Sequence, residues 1–161
     1  MQLSLFSDYS LRVLIYGALK GESFRVDEVS RAYGISRHHL AKVVQRLARL
    51  GYLATRRGRG GGLELALPAA EVRLGALVRA TEVQAVLVEC FDPLRNTCPI
   101  NGVCRLKGFL AEAQEAFYQA LDRHTLCDLV RGSARPGLEH LLLRNRAEGS
   151  LGRRRLRGRS V

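Results

Sequence analysis

The tightest constraint on the fold is the stretch "SRHHLAKVVQRLARLGYLATRRGRGGGLELAL", residues 36 to 67, in which the spacing of apolar residues changes partway through. Leu40, Val43, Val44, Leu47 and Leu50 recur at intervals of three and four, the period of one helix face, and Gly51 ends the run. From Tyr52 to Leu67 apolar and polar residues alternate on both sides of Gly58, Gly60, Gly61 and Gly62, the pattern of two antiparallel strands with a glycine-rich tip. Ser36 stands where the helix needs an N-cap. Just upstream, "VDEVSRAYG" has acidic residues in its first turn, Val26, Val29 and Ala32 on one side and Gly34 at its end, so it reads as a short helix. Two helices across a tight glycine-containing turn, followed by a hairpin, predict a winged helix-turn-helix. A further helix precedes them: Leu11, Leu14, Ile15, Ala18 and Leu19 follow Ser7 and Asp8 at helical spacing and stop at Gly21.

Charge points to the partner. The chain has 161 residues and a formal net charge of +11. Between Val29 and Leu63 there is no acidic residue, while Arg31, Arg37, Lys42, Arg46, Arg49, Arg56, Arg57 and Arg59 are all basic. A basic face on a helix-turn-helix predicts double-stranded DNA as the polyanion bound. The first turn of the third helix would present Ser36, Arg37, His38 and His39 to base edges in the major groove. Lys42, Arg46 and Arg49 lie further along, where phosphates are met, and Arg59 at the wing tip is placed to enter the minor groove. His38 and His39, adjacent on a helix, diverge by about a hundred degrees and do not share an ion easily. The glycine run is no phosphate loop, since no Lys-Ser or Lys-Thr follows and a strand comes next. No nucleotide fingerprint or hydrolase motif occurs, which argues against an enzyme. No stretch approaches the roughly eighteen apolar residues of a membrane span and no basic, then apolar, leader opens the chain, so a soluble cytoplasmic protein is expected.

Beyond Pro68, "EVRLGALVRATE" predicts a fourth helix, and a longer one runs from about Arg105 to Asp122 with Leu106, Phe109, Leu110, Ala113, Phe117, Ala120 and Leu121 at helical spacing. A stripe that wide, far from a small domain's core, predicts a homodimer interface. The expected architecture is mainly α: a winged helix-turn-helix DNA-binding domain over 1–67, a cluster-binding loop and dimerisation helix over 68–131, and a basic disordered tail over 132–161.

Between those two helices lies "ECFDPLRNTCPINGVCRLKG", residues 89 to 108, which can be neither a long helix nor a strand. Cys90, Cys98 and Cys104 are separated by seven and five residues, wider than the usual pairs of structural zinc sites. Three thiolates on a backbone punctuated by proline and glycine suit an iron–sulfur cluster.

Three segments, "DYSLRVLIYGAL", "YGISRHHLAKVVQRLARLGYLATRRGRGGGLEL" and "VECFDPLRNTCPINGVCRLKGFLAEAQEAFYQALDRHTLCDLV", occur in one order over roughly residues 1 to 131. Together they resemble the NsrR-type nitric-oxide-sensing repressors of bacteria. That resemblance implies a homodimeric regulator with a four-iron four-sulfur (4Fe-4S) cluster, released from promoter DNA by nitric oxide. It also implies that Cys90, Cys98 and Cys104 are joined as ligands by Asp8, reaching the cluster of the partner subunit, with Arg12 one turn on to orient the carboxylate. Cys127, in "HTLCDLV", reads as a packed residue of a short helix, with replacement of Asp8 as a ligand the lesser alternative. Two alternatives stay open. One is the related IscR-type regulator, with a two-iron cluster and a histidine where this chain has Lys107; the other is a zinc site using the cysteines with His124 or Cys127.

Overall fold

Ser4, rather than Ser7, opens the first helix. In the computed structural model, which describes residues 2–56, 61–82 and 86–144, α1 spans Leu5–Lys20 and the Ser4 hydroxyl accepts from the Ser7 N–H at 3.2 Å. The predicted start after Ser7 and Asp8 is therefore one turn late. Ser7 is instead fully buried, its Oγ donating to Thr81 Oγ1 at 2.7 Å. Glu82, next in the chain, accepts from both the N–H and the Oγ of Ser4. The front of α1 is thus fastened to a helix that comes much later, a tie that local periodicity does not encode.

The helix-turn-helix forms as the sequence predicts. Helix α2 spans Val26–Tyr33 and α3 spans Arg37–Arg49, with Gly34 between them in the left-handed region at φ 67°. Ser36 caps α3, accepting from the His39 N–H. Strands β1 (Leu53–Arg56) and β2 (Gly62–Leu65) pair antiparallel with Leu53 opposite Leu65 and Arg56 opposite Gly62. The wing tip, including Arg59, lies outside the described residues. Phe24 bridges to β2 as well, exchanging two backbone hydrogen bonds with Leu63 at 2.8 and 2.7 Å. A Cβ on Gly62 would stand 2.6 Å from the Phe24 carbonyl oxygen, so this glycine serves a close backbone approach. Val13, Leu14, Val29, Leu40, Val43, Leu47, Leu53 and Leu63 close one core between α1, the helix-turn-helix and the wing.

Helix α4 (Leu74–Thr81) buries Leu74, Leu77 and Val78. Helix α5 (Arg105–Asp122) lies across it and contributes no fully buried residue. Their contact is polar and close: Arg79 holds Glu115 by two bonds of 2.7 and 3.1 Å, Asp122 Oδ1 accepts from the Ala76 N–H, and Gly75 sits under the Tyr118 carbonyl. The first part of the apolar stripe is left bare, with Leu106 59% and Phe109 58% exposed, whereas Leu110 and Phe117 are half-buried and Leu121 packs against the core. Helix α6 (Leu126–Leu129) follows with a capping box from Thr125 and Asp128.

The expectation of a disordered tail from residue 132 is corrected for its first part. Ala134–Glu139 form α7 and His140–Arg144 a π-helical turn that returns to the DNA-binding half, with Leu142 buried and Leu138 and Leu143 packed against the core. Leu138, Leu142 and Leu143 share a face, a spacing obscured in the sequence by the surrounding arginines. Residues 145–161 lie outside the described part.

Candidate DNA-binding surface and cysteine cleft

Ser36, Arg37, His38, His39 and Lys42 are all exposed at the front of α3, Arg49 is exposed further along and Arg46 half-buried. The apolar stripe of α3 is spent on the core, so its other face is what the fold offers to a partner. Ser36 differs from its neighbours because its hydroxyl already serves as the helix cap. The rings of His38 and His39 lie 6.1 Å apart at 58°, diverging as residues next to one another on a helix do. Arg37 is tethered from α2: its Nε lies 2.5 Å from Oδ1 of Asp27. His39 touches α1, its ring 6.4 Å from that of Tyr9.

Asp8 stands on the same face of α1. Arg12 grips both of its carboxylate oxygens, through Nε at 3.1 Å and a terminal nitrogen at 2.9 Å. That hydrogen bonding raises the guanidinium above its usual pKa. Arg12 also lies over the Tyr33 ring, 5.6 Å from its centroid, at the end of α2. Burial, only partly offset by Arg12, pushes the Tyr33 phenol up to about 12, so it stays neutral. Asp8, Tyr9 and Arg12 therefore form a short strip of α1 that touches both helices of the helix-turn-helix.

The cysteine loop is built from backbone turns, among them Asn96 N–H to the Asp92 carbonyl and Asn101 N–H to the Cys98 carbonyl, joined by local side-chain bonds. Glu89 accepts from both the N–H and the Oγ of Thr97, Asp92 from the Leu94 N–H, and Asn96 from the Cys98 N–H. The two hydrogen bonds from Thr97 hold the Glu89 carboxyl below the usual carboxylate range. Cys90 and Cys104 line one open cleft of about 710 Å³ with Asn96, Asn101 and Lys107. Cys98 is two residues from one of those walls, and none of the three thiols is in a disulfide. Lys107 donates to Asn101 Oδ1 at 2.8 Å and so pins the end of the loop to α5. Among the described residues, no three His, Cys, Asp or Glu side chains could hold a metal ion together. Asp8 does not line the cleft of its own chain. Cys127 packs on α6 with its N–H donating to the Ala69 carbonyl, and with His124 it stands beyond the far end of α5, about 27 Å of helix from Cys104.

A family model described as Rrf2, iron-dependent transcriptional regulator, matches residues 3–132. The chain belongs to the Rrf2 family. It is 47% identical to the HTH-type transcriptional regulator NsrR of Geobacillus kaustophilus over 83% of this chain and 92% of that protein. The NsrR of Bacillus subtilis is 46% identical, over 81% of this chain and 91% of that one. Among solved structures, the IscR of T. potens superposes with a TM-score of 0.64 at 17% identity, covering 81% of the Rrf2 chain and 86% of its own. The oxidised CymR of Staphylococcus aureus gives 0.62 at 24%, covering 82% and 98%. At those identities the two structures speak for the mainly helical winged-helix fold alone. No described helix of the Rrf2 chain is long and apolar enough to cross a membrane.

Sequence reasoning missed several residues of these surfaces: Tyr9, Asp27, Tyr33 and Asn101. Each acts on a residue of another element or across a loop, and only Asp27 carried a signal, as an acidic residue just before the acid-free basic stretch.

Proposed function

We propose that this Rrf2 regulator is a homodimeric repressor that senses nitric oxide through a 4Fe-4S cluster held by Cys90, Cys98 and Cys104 together with Asp8 of the partner subunit, and releases promoter DNA in response. The observation that carries the reading is the single cleft lined by Cys90 and Cys104, in a chain 46–47% identical to proteins named NsrR. The donor set suits the group: the cysteines are free and partly exposed, sulfur is a soft ligand for iron, and a carboxylate is a harder, more easily displaced one. When bound, the cluster supplies an iron site open to a small neutral molecule such as nitric oxide. What the chain supplies is the link to DNA. Arg12 fixes the direction of the Asp8 carboxylate, and the helix carrying both touches Tyr33 of α2 and His39 of α3. A change at Asp8 therefore acts on the element that presents Ser36, Arg37, His38, His39 and Lys42, with Arg46 and the wing residue Arg59 as further DNA contacts. Two such elements must keep a spacing of one DNA turn to read matched half-sites.

The iron-supply reading with a two-iron cluster is disfavoured by Lys107, whose ammonium is committed to Asn101. A zinc site drawing on His124 or Cys127 of the same chain is disfavoured by the length of α5 between them and Cys104. Iron, sulfide and zinc content of anaerobically purified protein, followed by titration with nitric oxide, tests the proposal. About four irons and four sulfides per chain, lost together with promoter binding, are expected. Two irons, or stoichiometric zinc without sulfide, would replace it with one of the alternatives.

A further inference from the structure

The acid-free stretch begins two residues after Asp27, and the fold brings that carboxylate back against the first helical residue of α3. Oδ1 of Asp27 lies 2.5 Å from Nε of Arg37. The same oxygen is shielded from solvent and receives no aligned hydrogen bond, so the guanidinium covers it and the pair is held by charge. Both ends sit on rigid supports, because Val29 of α2 and Leu40 and Val43 of α3 share the core.

The side from which Arg37 is held matters. A guanidinium carries five N–H donors in a fixed fork. Nε is the guanidinium atom that lies against Asp27, so its terminal nitrogens remain for a ligand, and the Arg37 side chain is 73% exposed. An arginine presenting that fork reads O6 and N7 of guanine in the major groove, whereas a phosphate accepts from almost any orientation. An arginine drawn to one side by a carboxylate also has less rotamer freedom to lose on binding.

We infer that Asp27 is a positioning residue for sequence reading: it holds Arg37 so that its terminal nitrogens recognise a guanine in each half-site. The inference rests on the reading of α3 as the recognition helix. Asp27 touches no DNA in this account and acts only through Arg37.

Selection from a randomised duplex library, with full-length protein and the variants Arg37→Ala, Asp27→Ala and the double variant, tests it. The wild type should enrich a motif with a guanine in each half-site. Arg37→Ala should flatten that preference by about tenfold or more. Asp27→Ala should lower the preference at the same position, and at no other, by roughly fivefold, and the double variant should be no flatter than Arg37→Ala. The slope of affinity against salt should be the same for Asp27→Ala as for wild type, because no phosphate contact is lost. An exposed ion pair contributes little to folding, so the variant remains folded. If Asp27→Ala raised affinity for every sequence and left the guanine preference intact, Asp27 would be a mask over Arg37 and the inference would be overturned. If Arg37→Ala left the motif unchanged, the recognition-helix reading itself would fail first.

Discussion

Glu89 shows how single side chains shape the cysteine loop. With no long helix or strand to pair its backbone, the segment from Glu89 to Cys104 satisfies its N–H groups locally, through turn carbonyls such as those of Val88, Asp92 and Cys98 and through the side chains of Glu89, Asp92 and Asn96. Glu89 does the most, accepting twice from Thr97, the residue before Cys98. Those bonds depress its folded-state pKa, which sets the sign of the pH dependence. The bonds are intact above the ordinary glutamate value of about 4.3 and are lost as pH falls through the lower folded-state value. In NMR titrations the Thr97 amide resonance should therefore move with a midpoint below that ordinary value. In Glu89→Ala at neutral pH, amide exchange at Thr97 should accelerate by about tenfold or more, since its N–H is left to water. An exchange rate equal to wild type would mean that the loop is held by something other than this carboxylate.

At the scale of elements, the crossing of α4 and α5 depends on one missing side chain. A Cβ at Gly75 would lie 2.2 Å from the Tyr118 carbonyl oxygen and 2.5 Å from Cγ of Asp122. Two effects compete in Gly75→Ala: alanine favours an isolated helix by about 1 kcal/mol, and overpacking costs about 1–3 kcal/mol. Here the clash wins, because the nearest atom is backbone and cannot rotate away. Urea unfolding should show a net loss of up to about 2 kcal/mol, and a gain in stability would show that the helices do not cross so closely. This contact also marks what was legible in the sequence. Helices α2, α3 and α5 and the wing strands were readable from period and glycine punctuation because each is amphipathic over its own length. The start of α1 was misplaced because its N-terminus is decided by Ser4 and by Glu82, far along the chain. The first turns of the tail read as disorder because arginines hide the leucines that dock back on α1 and α2. At the candidate site, residue types were legible and pairings were not: the sequence offers Arg37, His39 and Asp8, but only the fold sets Asp27, Tyr9 and Tyr33 against Arg37, His39 and Arg12.

For the whole molecule, the exposed side of α5 is the feature that one chain alone leaves unexplained. Leu106 and Phe109 present more than half their surface to water, although a helix of this length could have turned them inward. The side facing α4 carries Glu115, Tyr118 and Asp122, which hold α4 through charge and hydrogen bonds, with Leu121 packed on the core next to them. Within one chain Phe109 therefore adds little to folding, and the proposed homodimer would bury it against a second copy. Phe109→Asp separates these roles. The variant should keep the helical circular dichroism and thermal stability of a folded chain, yet sediment as a monomer at micromolar concentration where the wild type sediments as a dimer. Its affinity for a duplex with two half-sites should fall by a hundredfold or more toward that for one half-site, since two linked contacts exceed either alone by 10²–10⁴. The salt dependence should weaken as well, because a monomer neutralises about half as many phosphates. A variant that stayed dimeric with unchanged DNA affinity would place the interface elsewhere. Asp8 could then not be assumed to reach a neighbour's cysteines, and the fourth ligand would have to be sought within the chain.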